Sequence, residues 1–235
     1  MTREELLKVS KPILFSTEMV KAILEGRKSC TRRAIKLDLG LADTDKNDSS
    51  YLKIPDKDGD YHDAKDLCRY QPGDILYVRE TWQTGYKGNV DENGDGLLEY
   101  LYRADGDDIS VGYSNGKWKP SIHMPKKAAR IFLKVTDIRV ERLQDITSEQ
   151  AKNEGVDLSS GTPFPKSTAR DCHGAKNGLS MYQSRFVILW DSTMKKQDLD
   201  KYSWESNPFV WVIEFERVEV KNDRGGFNEN KNKIL

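Results

Sequence analysis

Nine consecutive residues, Glu25-Gly26-Arg27-Lys28-Ser29-Cys30-Thr31-Arg32-Arg33, constrain this chain more than any other stretch. They set four cations and three hydroxyl or thiol side chains beside one glycine, directly behind an amphipathic segment. Apolar Met19, Val20, Ile23 and Leu24 recur at helical spacing, so a helix with Ser16 or Thr17 as N-cap lays one face on a core. Gly26 ends it, because glycine enters the left-handed conformation without a Cβ penalty. The chain leaving the helix is then extended, and side chains from Lys28 to Thr31 can converge on a ligand there. A solvated basic loop is the plain reading of such a composition. The rest of the chain raises a functional one.

The 235 residues suit one large domain or one domain with generous insertions. Apolar residues make up 37% and charged residues 32%, so the core is modest and some segments lie outside it. Thirty-eight basic and 38 acidic side chains cancel, so no global field draws the protein onto nucleic acid. Locally the charge is uneven. Residues 1–36 carry nine Lys/Arg against four Glu, residues 37–66 four Lys against nine Asp, and residues 117–142 eight Lys/Arg against two acids. Three cysteines (Cys30, Cys68, Cys172) without CxxC spacing fit a reducing cytosol and no structural zinc. The N-terminus has no signal-peptide pattern and no apolar run reaches membrane-spanning length. A soluble, cytoplasmic protein is expected.

Along the chain, residues 1–10 are a short helical turn or a loose arm, and Lys11–Phe15 and Thr31–Leu37 are short strands. Residues 38–70 resemble an insertion, and Gln71-Pro72-Gly73-Asp74 turns into a buried strand, Ile75–Val78. Asp91–Gly96 matches half of a calcium loop but has Tyr102 where a bidentate Glu is needed, so it reads as a hairpin turn; Asp56–Asp60 gets the same reading. Trp118–Pro125 is extended between prolines. Ala128–Leu143 alternates with a slip at Thr136-Asp137, either one long strand with a bulge or two meeting at a corner. Thr147-Ser148-Glu149-Gln150 is a capping box for a helix that stops at Gly155. Residues 157–176 form a second insertion, 179–194 a helix, and Phe209–Phe215 the most strand-like run, before a disordered tail at 221–235. Strands that do not alternate regularly with helices favour an α+β small mixed β-barrel with peripheral helices.

The residues resemble a family. The Gly26-Arg27-Lys28-Ser29-Cys30-Thr31 box, the Pro72-Gly73-Asp74 turn, the capped helix ending in Glu154-Gly155 and the closing Trp211-Val212-Ile213-Glu214-Phe215 strand look like an ASCH domain of the PUA-like superfamily. Lys11–Ser16, Val78-Arg79-Glu80-Thr81-Trp82, Trp118–Pro125 and Glu141–Ile146 are similar to the larger phage and prophage ASCH-containing proteins. The match covers one domain at 11–219, with 38–70 and 157–176 as two loop insertions. It implies a pseudo-barrel with a cleft beside the first helix, and an RNA or modified-nucleoside ligand. For a phage-encoded chain the setting is the bacterial host cytosol. The resemblance implies no cofactor, and a protein partner is unknown.

One branch, similar over the core, hydrolyses the acetyl amide of N4-acetylcytidine with a lysine, a threonine and a glutamate. By the resemblance these fall on Lys28, Thr31 and Glu154 as catalytic residues. Amide hydrolysis needs a nucleophile, a base and a proton donor for the leaving amine, and these three side chains can fill those roles. Neighbouring cations push a lysine down, and a helix C-terminus pushes a carboxylate up. A regular strand would put Lys28 and Thr31 on opposite faces, so the scheme calls for a bend. Candidate substrate-binding residues are Arg27, Arg33, Glu80, Trp82, Tyr102, Trp118 and His123, with aromatics as stacking surfaces. Cys30 is either a reactive thiol or core filler. The alternative function is a non-catalytic RNA- or nucleotide-binding module, or a ribonuclease on the same scaffold.

Overall fold

Caps and apolar periodicity become elements in the order α1 (Arg3–Val9), β1 (Lys11–Leu14), α2 (Thr17–Leu24), β2 (Cys30–Ala34), β3 (Asp43–Thr44), β4 (Leu52–Pro55), β5 (Tyr61–Asp63), β6 (Ile75–Arg79), β7 (Trp82–Tyr86), β8 (Leu98–Tyr102), β9 (Phe132–Arg142), α3 (Ser148–Asn153), α4 (Met181–Thr193), α5 (Leu199–Tyr202) and β10 (Phe209–Val218). The computed structural model describes residues 1–36, 42–44, 51–86, 98–106, 117–158 and 178–221. The protein is α+β. Among the described residues no sheet closes into the expected barrel, because β3–β4–β5 and β7–β8 pair among themselves instead of joining one ring. No described helix is long and apolar enough to cross a membrane. Most of the insertion at 157–176 and the tail from 222 onward lie outside the described residues.

The chain divides into two compact units. The first comprises Met1–Lys21, Gly73–Lys134 and Glu216–Leu235. There α1 is a proper helix and not a loose arm. Thr2 Oγ1 accepts from the Glu5 N–H and Glu5 Oε2 accepts from the Thr2 N–H, a capping box that satisfies two otherwise orphaned donors. β1 pairs parallel with β6, and β6 pairs antiparallel with the opening residues of β9. Leu6, Tyr77, Trp82, Met124, Ala128 and Phe132 form the core. β7 and β8 are a hairpin with Trp82 opposite Tyr102, as the turn reading of Asp91–Gly96 requires; that turn itself is outside the described residues. Within Trp118–Pro125 the backbone of Lys119 pairs with Trp82, and Ser121–His123 make one 3-10 turn between the two prolines.

The second unit comprises Ala22–Pro72 and Val135–Phe215. β2 pairs antiparallel with β10, Thr31 opposite Ile213 and Cys30 opposite Glu214. β9 is one strand, and its alternation slips where the sequence slips, with Thr136 and Asp137 both exposed while Ile138 and Val140 return inward. α4 buries Phe186 and Trp190 against Leu143, Ile146, Ala151 and Val212. The described part of 38–70 is a three-stranded antiparallel sheet whose Leu52, Ile54 and Ala64 share a core with Ile35, Val140 and Phe209. Asp56–Asp60 is the turn between β4 and β5. Asp56 Oδ1 accepts the N–H groups of Asp58 (2.9 Å) and Asp60 (3.0 Å), and its Oδ2 lies 2.8 Å from His62 Nε2, which holds the turn.

The end of α3 packs closely against Ala22 and Lys28. Thr147 and Gln150 cap its start reciprocally. Gly155 then turns the chain at φ +86°, and a Cβ there would lie 2.7 Å from Ala22 Cβ and 3.1 Å from Lys28 Cβ. Both neighbours are methyl or backbone-proximal carbons that cannot swing aside. Gly155→Ala is therefore expected to cost about 2–4 kcal/mol, left-handed strain plus overpacking. Urea unfolding checks it, and a cost below about 0.5 kcal/mol would contradict this packing.

Candidate functional site

Two features of the chain bring Lys28 to Glu154. At the end of α2 the Ala22 carbonyl accepts from both Arg27 N (2.8 Å) and Lys28 N (3.1 Å), with Gly26 at φ +72°, so the chain reverses out of the helix. It then runs beside the end of α3. Lys28 and Glu154 form an isolated antiparallel bridge, and the Ser29 N–H donates to the Asn153 carbonyl at 2.9 Å. Regular pairing starts only at Cys30, so Lys28 lies before the strand and is not bound by its alternation. Lys28, Cys30, Thr31 and Arg32 are buried in near succession.

Lys28 Nζ donates to Glu154 Oε2 at 2.7 Å and to the Glu154 carbonyl at 2.9 Å. The Lys28 side chain is 0% exposed and that of Glu154 4%. Glu154 is the cap residue one step beyond the last residue of α3. Its other oxygen, Oε1, accepts from Arg32 Nη1 at 3.2 Å, so one carboxylate is clasped by two cations. Arg32 is held in turn by Glu141 Oε2 at 3.0 Å. Thr31 is 1% exposed and sits between these groups in sequence. Arg33 is half-buried; burial pulls its guanidinium down while the Glu154 charge acts the other way. Arg27 turns aside, donating through Nε to Glu25 (2.7 Å) and through Nη1 to the Gly155 carbonyl (2.9 Å).

Cys30 is core filler. Burial first, and then Glu154, push its thiol up to about 12, against the opposing pull of Lys28 and Arg32.

The remaining candidates lie in the first unit, around a different ion pair. Glu80, 1% exposed, receives a bidentate fork from Arg130 Nε (2.9 Å) and Nη2 (3.0 Å). Arg130 Nη1 reaches both oxygens of Asp105 at 2.8 Å, and the guanidinium lies 3.9 Å from the centroid of the Tyr102 ring. Burial raises Glu80, with Arg130 opposing, and burial raises the Tyr102 phenol to about 12. The Tyr102 hydroxyl donates to the Ala128 carbonyl. Trp82 is a core residue with Tyr100 edge-on at 5.7 Å and the Lys119 ammonium 4.8 Å from its centroid. Trp118 is half-buried and His123 exposed.

So Lys28, Thr31, Arg33 and Glu154 belong to one unit, and Glu80, Trp82, Tyr102, Trp118 and His123 to the other. Sequence reasoning missed Glu141, Arg130 and Asp105 as the partners that hold the charged candidates. For Glu141 a signal was present: Arg139 and Glu141 stand two apart on one strand, hence on one face, where opposite charges pair. Among the described residues no group of three or more His, Cys, Asp and Glu side chains is placed to hold a metal ion. No protein-family model, curated protein or solved structure matches the chain.

Removing Lys28 leaves the buried Glu154 carboxylate with Arg32 alone and Oε2 without its donor. Lys28→Met is expected to cost about 3–5 kcal/mol, and the double change Lys28→Met/Glu154→Leu to recover part of that loss. Urea unfolding of both variants checks this; a cost below about 1 kcal/mol for Lys28→Met would contradict it. The raised Cys30 thiol gives a second test. At pH 8 it is protonated as well as covered, so iodoacetamide should leave the Ser29–Arg32 tryptic peptide unmodified in the folded protein and alkylate it in denaturant. Modification without denaturant would overturn this assignment.

Proposed function

We propose that this chain is an ASCH-domain protein of the PUA-like superfamily that hydrolyses the amide of an acylated pyrimidine nucleoside, of the N4-acetylcytidine kind, through Lys28, Thr31 and Glu154. The observation that carries the reading is the 2.7 Å contact of Lys28 Nζ with Glu154 Oε2, buried and joined through the backbone to the strand that bears Thr31. Buried charges are expensive, and a paired lysine and glutamate kept out of water suit proton transfer better than they suit stability.

In this scheme the Lys28 ammonium passes a proton to Glu154 across their hydrogen bond. The neutral Lys28 Nζ takes the proton of the Thr31 hydroxyl as Oγ1 attacks the acyl carbon. The tetrahedral adduct collapses with cleavage of the C–N bond, and the leaving exocyclic nitrogen takes the proton from Glu154. Water then hydrolyses the acyl-Thr31 ester, releasing the carboxylic acid and restoring the pair. Arg32, 3.2 Å from Glu154 Oε1, favours the carboxylate that forms when Glu154 gives up its proton.

The same geometry weighs against a phosphate-reading basic box. Lys28 and Arg32 are spent on Glu154 and Glu141, and Arg27 on Glu25 and the Gly155 carbonyl. In the second basic stretch Arg130 is held by Glu80 and Asp105, and Arg139 by Glu141 and Glu214. Cations already matched by internal carboxylates contribute little to the counterion release that drives nucleic-acid binding. A cytoplasmic setting, the bacterial host cytosol for a phage protein, follows from the same resemblance.

Purified protein should convert N4-acetylcytidine to cytidine, followed by chromatography. Thr31→Ala should lower kcat at least ~100-fold with affinity nearly unchanged, and Lys28→Ala and Glu154→Gln should also abolish turnover. No cytidine at high enzyme concentration, together with salt-dependent retention of RNA, would replace the hydrolase with the binding module.

A further inference from the structure

Glu154 does not meet Lys28 alone. A row of alternating charges runs Lys28–Glu154–Arg32–Glu141–Arg139, with Glu214 and Asp137 at its far end. Each inner member uses its two ends on two partners. Glu154 gives Oε2 to Lys28 and Oε1 to Arg32, Arg32 gives Nη1 to Glu154 and Nη2 to Glu141, and Glu141 gives Oε2 to Arg32 and Oε1 to Arg139 at 2.5 Å. Arg139 Nη1 closes the row on Glu214 Oε1 at 2.5 Å. Side-chain exposure rises along it, from 0% at Arg32 through 15% at Glu141 and 30% at Arg139 to 43% at Glu214. Its inner end is dry and its outer end is wet.

The distances within the row are unequal. Glu154 lies 2.7 Å from Lys28 but 3.2 Å from Arg32, while Arg32 lies 3.0 Å from Glu141. A free guanidinium beside a carboxylate closes into a two-bond fork. Arg32 makes one bond to Glu154, and its buried Nε has no hydrogen-bond partner among the described residues. Glu141 is what occupies its second terminal nitrogen.

We propose that Glu141 is a positioning residue for the Lys28–Glu154 pair, acting through Arg32: it holds the guanidinium off Glu154 so that the carboxylate stays with the lysine. Arg139, anchored on Glu214, fixes Glu141 in turn. Without Glu141, Arg32 closes on both oxygens of Glu154 and draws the carboxylate from Lys28. The kinetic consequence rests on the hydrolase reading; the geometric linkage does not.

Two measurements on the full chain separate them. The first is a double-mutant cycle of unfolding equilibria with Lys28→Met and Glu141→Ala, residues linked through Glu154 and Arg32. With Lys28 gone, releasing Arg32 onto Glu154 compensates the stranded carboxylate, so the double variant should be at least about fivefold more stable than the two costs predict together. Additivity within about twofold overturns the linkage. If Lys28→Met does not fold, a crystal structure of Glu141→Ala decides: both terminal nitrogens of Arg32 on Glu154 uphold it, and an unmoved Arg32 overturns it. The second measurement is turnover of N4-acetylcytidine. Glu141→Ala should lower kcat more than ~10-fold with KM within about twofold, and Glu141→Gln, which keeps an acceptor oxygen for Arg32, should restore most of it. Undiminished kcat in Glu141→Ala overturns the positioning role. A parent protein without turnover sinks the hydrolase reading, and the unfolding cycle then still decides the linkage.

Discussion

The second unit is organised by one carboxylate in the dark. Glu154 has almost no water to solvate it, so its charge must be matched by the protein, and two cations from the segment after α2 do so. That requirement reaches far into the chain. α2 has to end at Gly26 to send Lys28 inward, and α3 has to end at Glu154 to present the carboxylate. Gly155 has to lack a side chain so that Ala22 and Lys28 can approach. The backbone bond from Ser29 to Asn153 locks the two segments in that register. None of this is cheap in free energy, since an apolar trio of similar volume would fill the same space without desolvating charge.

The first unit meets the same constraint differently. Glu80 is as deeply buried as Glu154, but a single arginine satisfies both of its oxygens, and that arginine is itself clamped by Asp105 and seated on Tyr102. Arg130 thereby ties together the chain after β6, the end of β8 and the approach to β9. A fork of this kind orients rigidly, and its donor is an arginine, which keeps its proton in proteins. Glu154 instead divides its oxygens between two cations, Oε2 to Lys28 and Oε1 to Arg32, and the proposed chemistry uses the lysine because an ammonium can give up a proton.

Much of the framework was legible in the residues. Capping signals at Thr147 and Ser16-Thr17, glycines at 26 and 155, and the short apolar runs Ile75–Val78 and Phe209–Phe215 each act locally, and the elements fall where those signals put them. The slip at Thr136-Asp137 was visible too, because a period of two records any extra exposed residue. What escaped was non-local. Leu52 and Ile54 offer only two alternating apolar residues, too few to reveal β4, and their burial depends on Ile35, Val140 and Phe209 from distant parts of the chain. The open pairing of β3–β5 and β7–β8, in place of a closed ring, is likewise a matter of partners and not of strand propensity. Lys28 and Thr31 were visible as a box and Glu154 as a helix end, but the hold of Glu141 on Arg32 crosses 109 residues of sequence, and the local spacing of Glu141 points only to Arg139.

The central claim is that Thr31 becomes acylated while Lys28 and Glu154 move its protons. The most direct measurement is mass spectrometry of protein quenched in acid during turnover of N4-acetylcytidine, reading the Ser29–Arg32 tryptic peptide. The account predicts one acetyl group on Thr31 at early times, absent from Thr31→Ala and lost as substrate is exhausted. Release of cytidine with no acetyl group ever carried by Thr31 would contradict it.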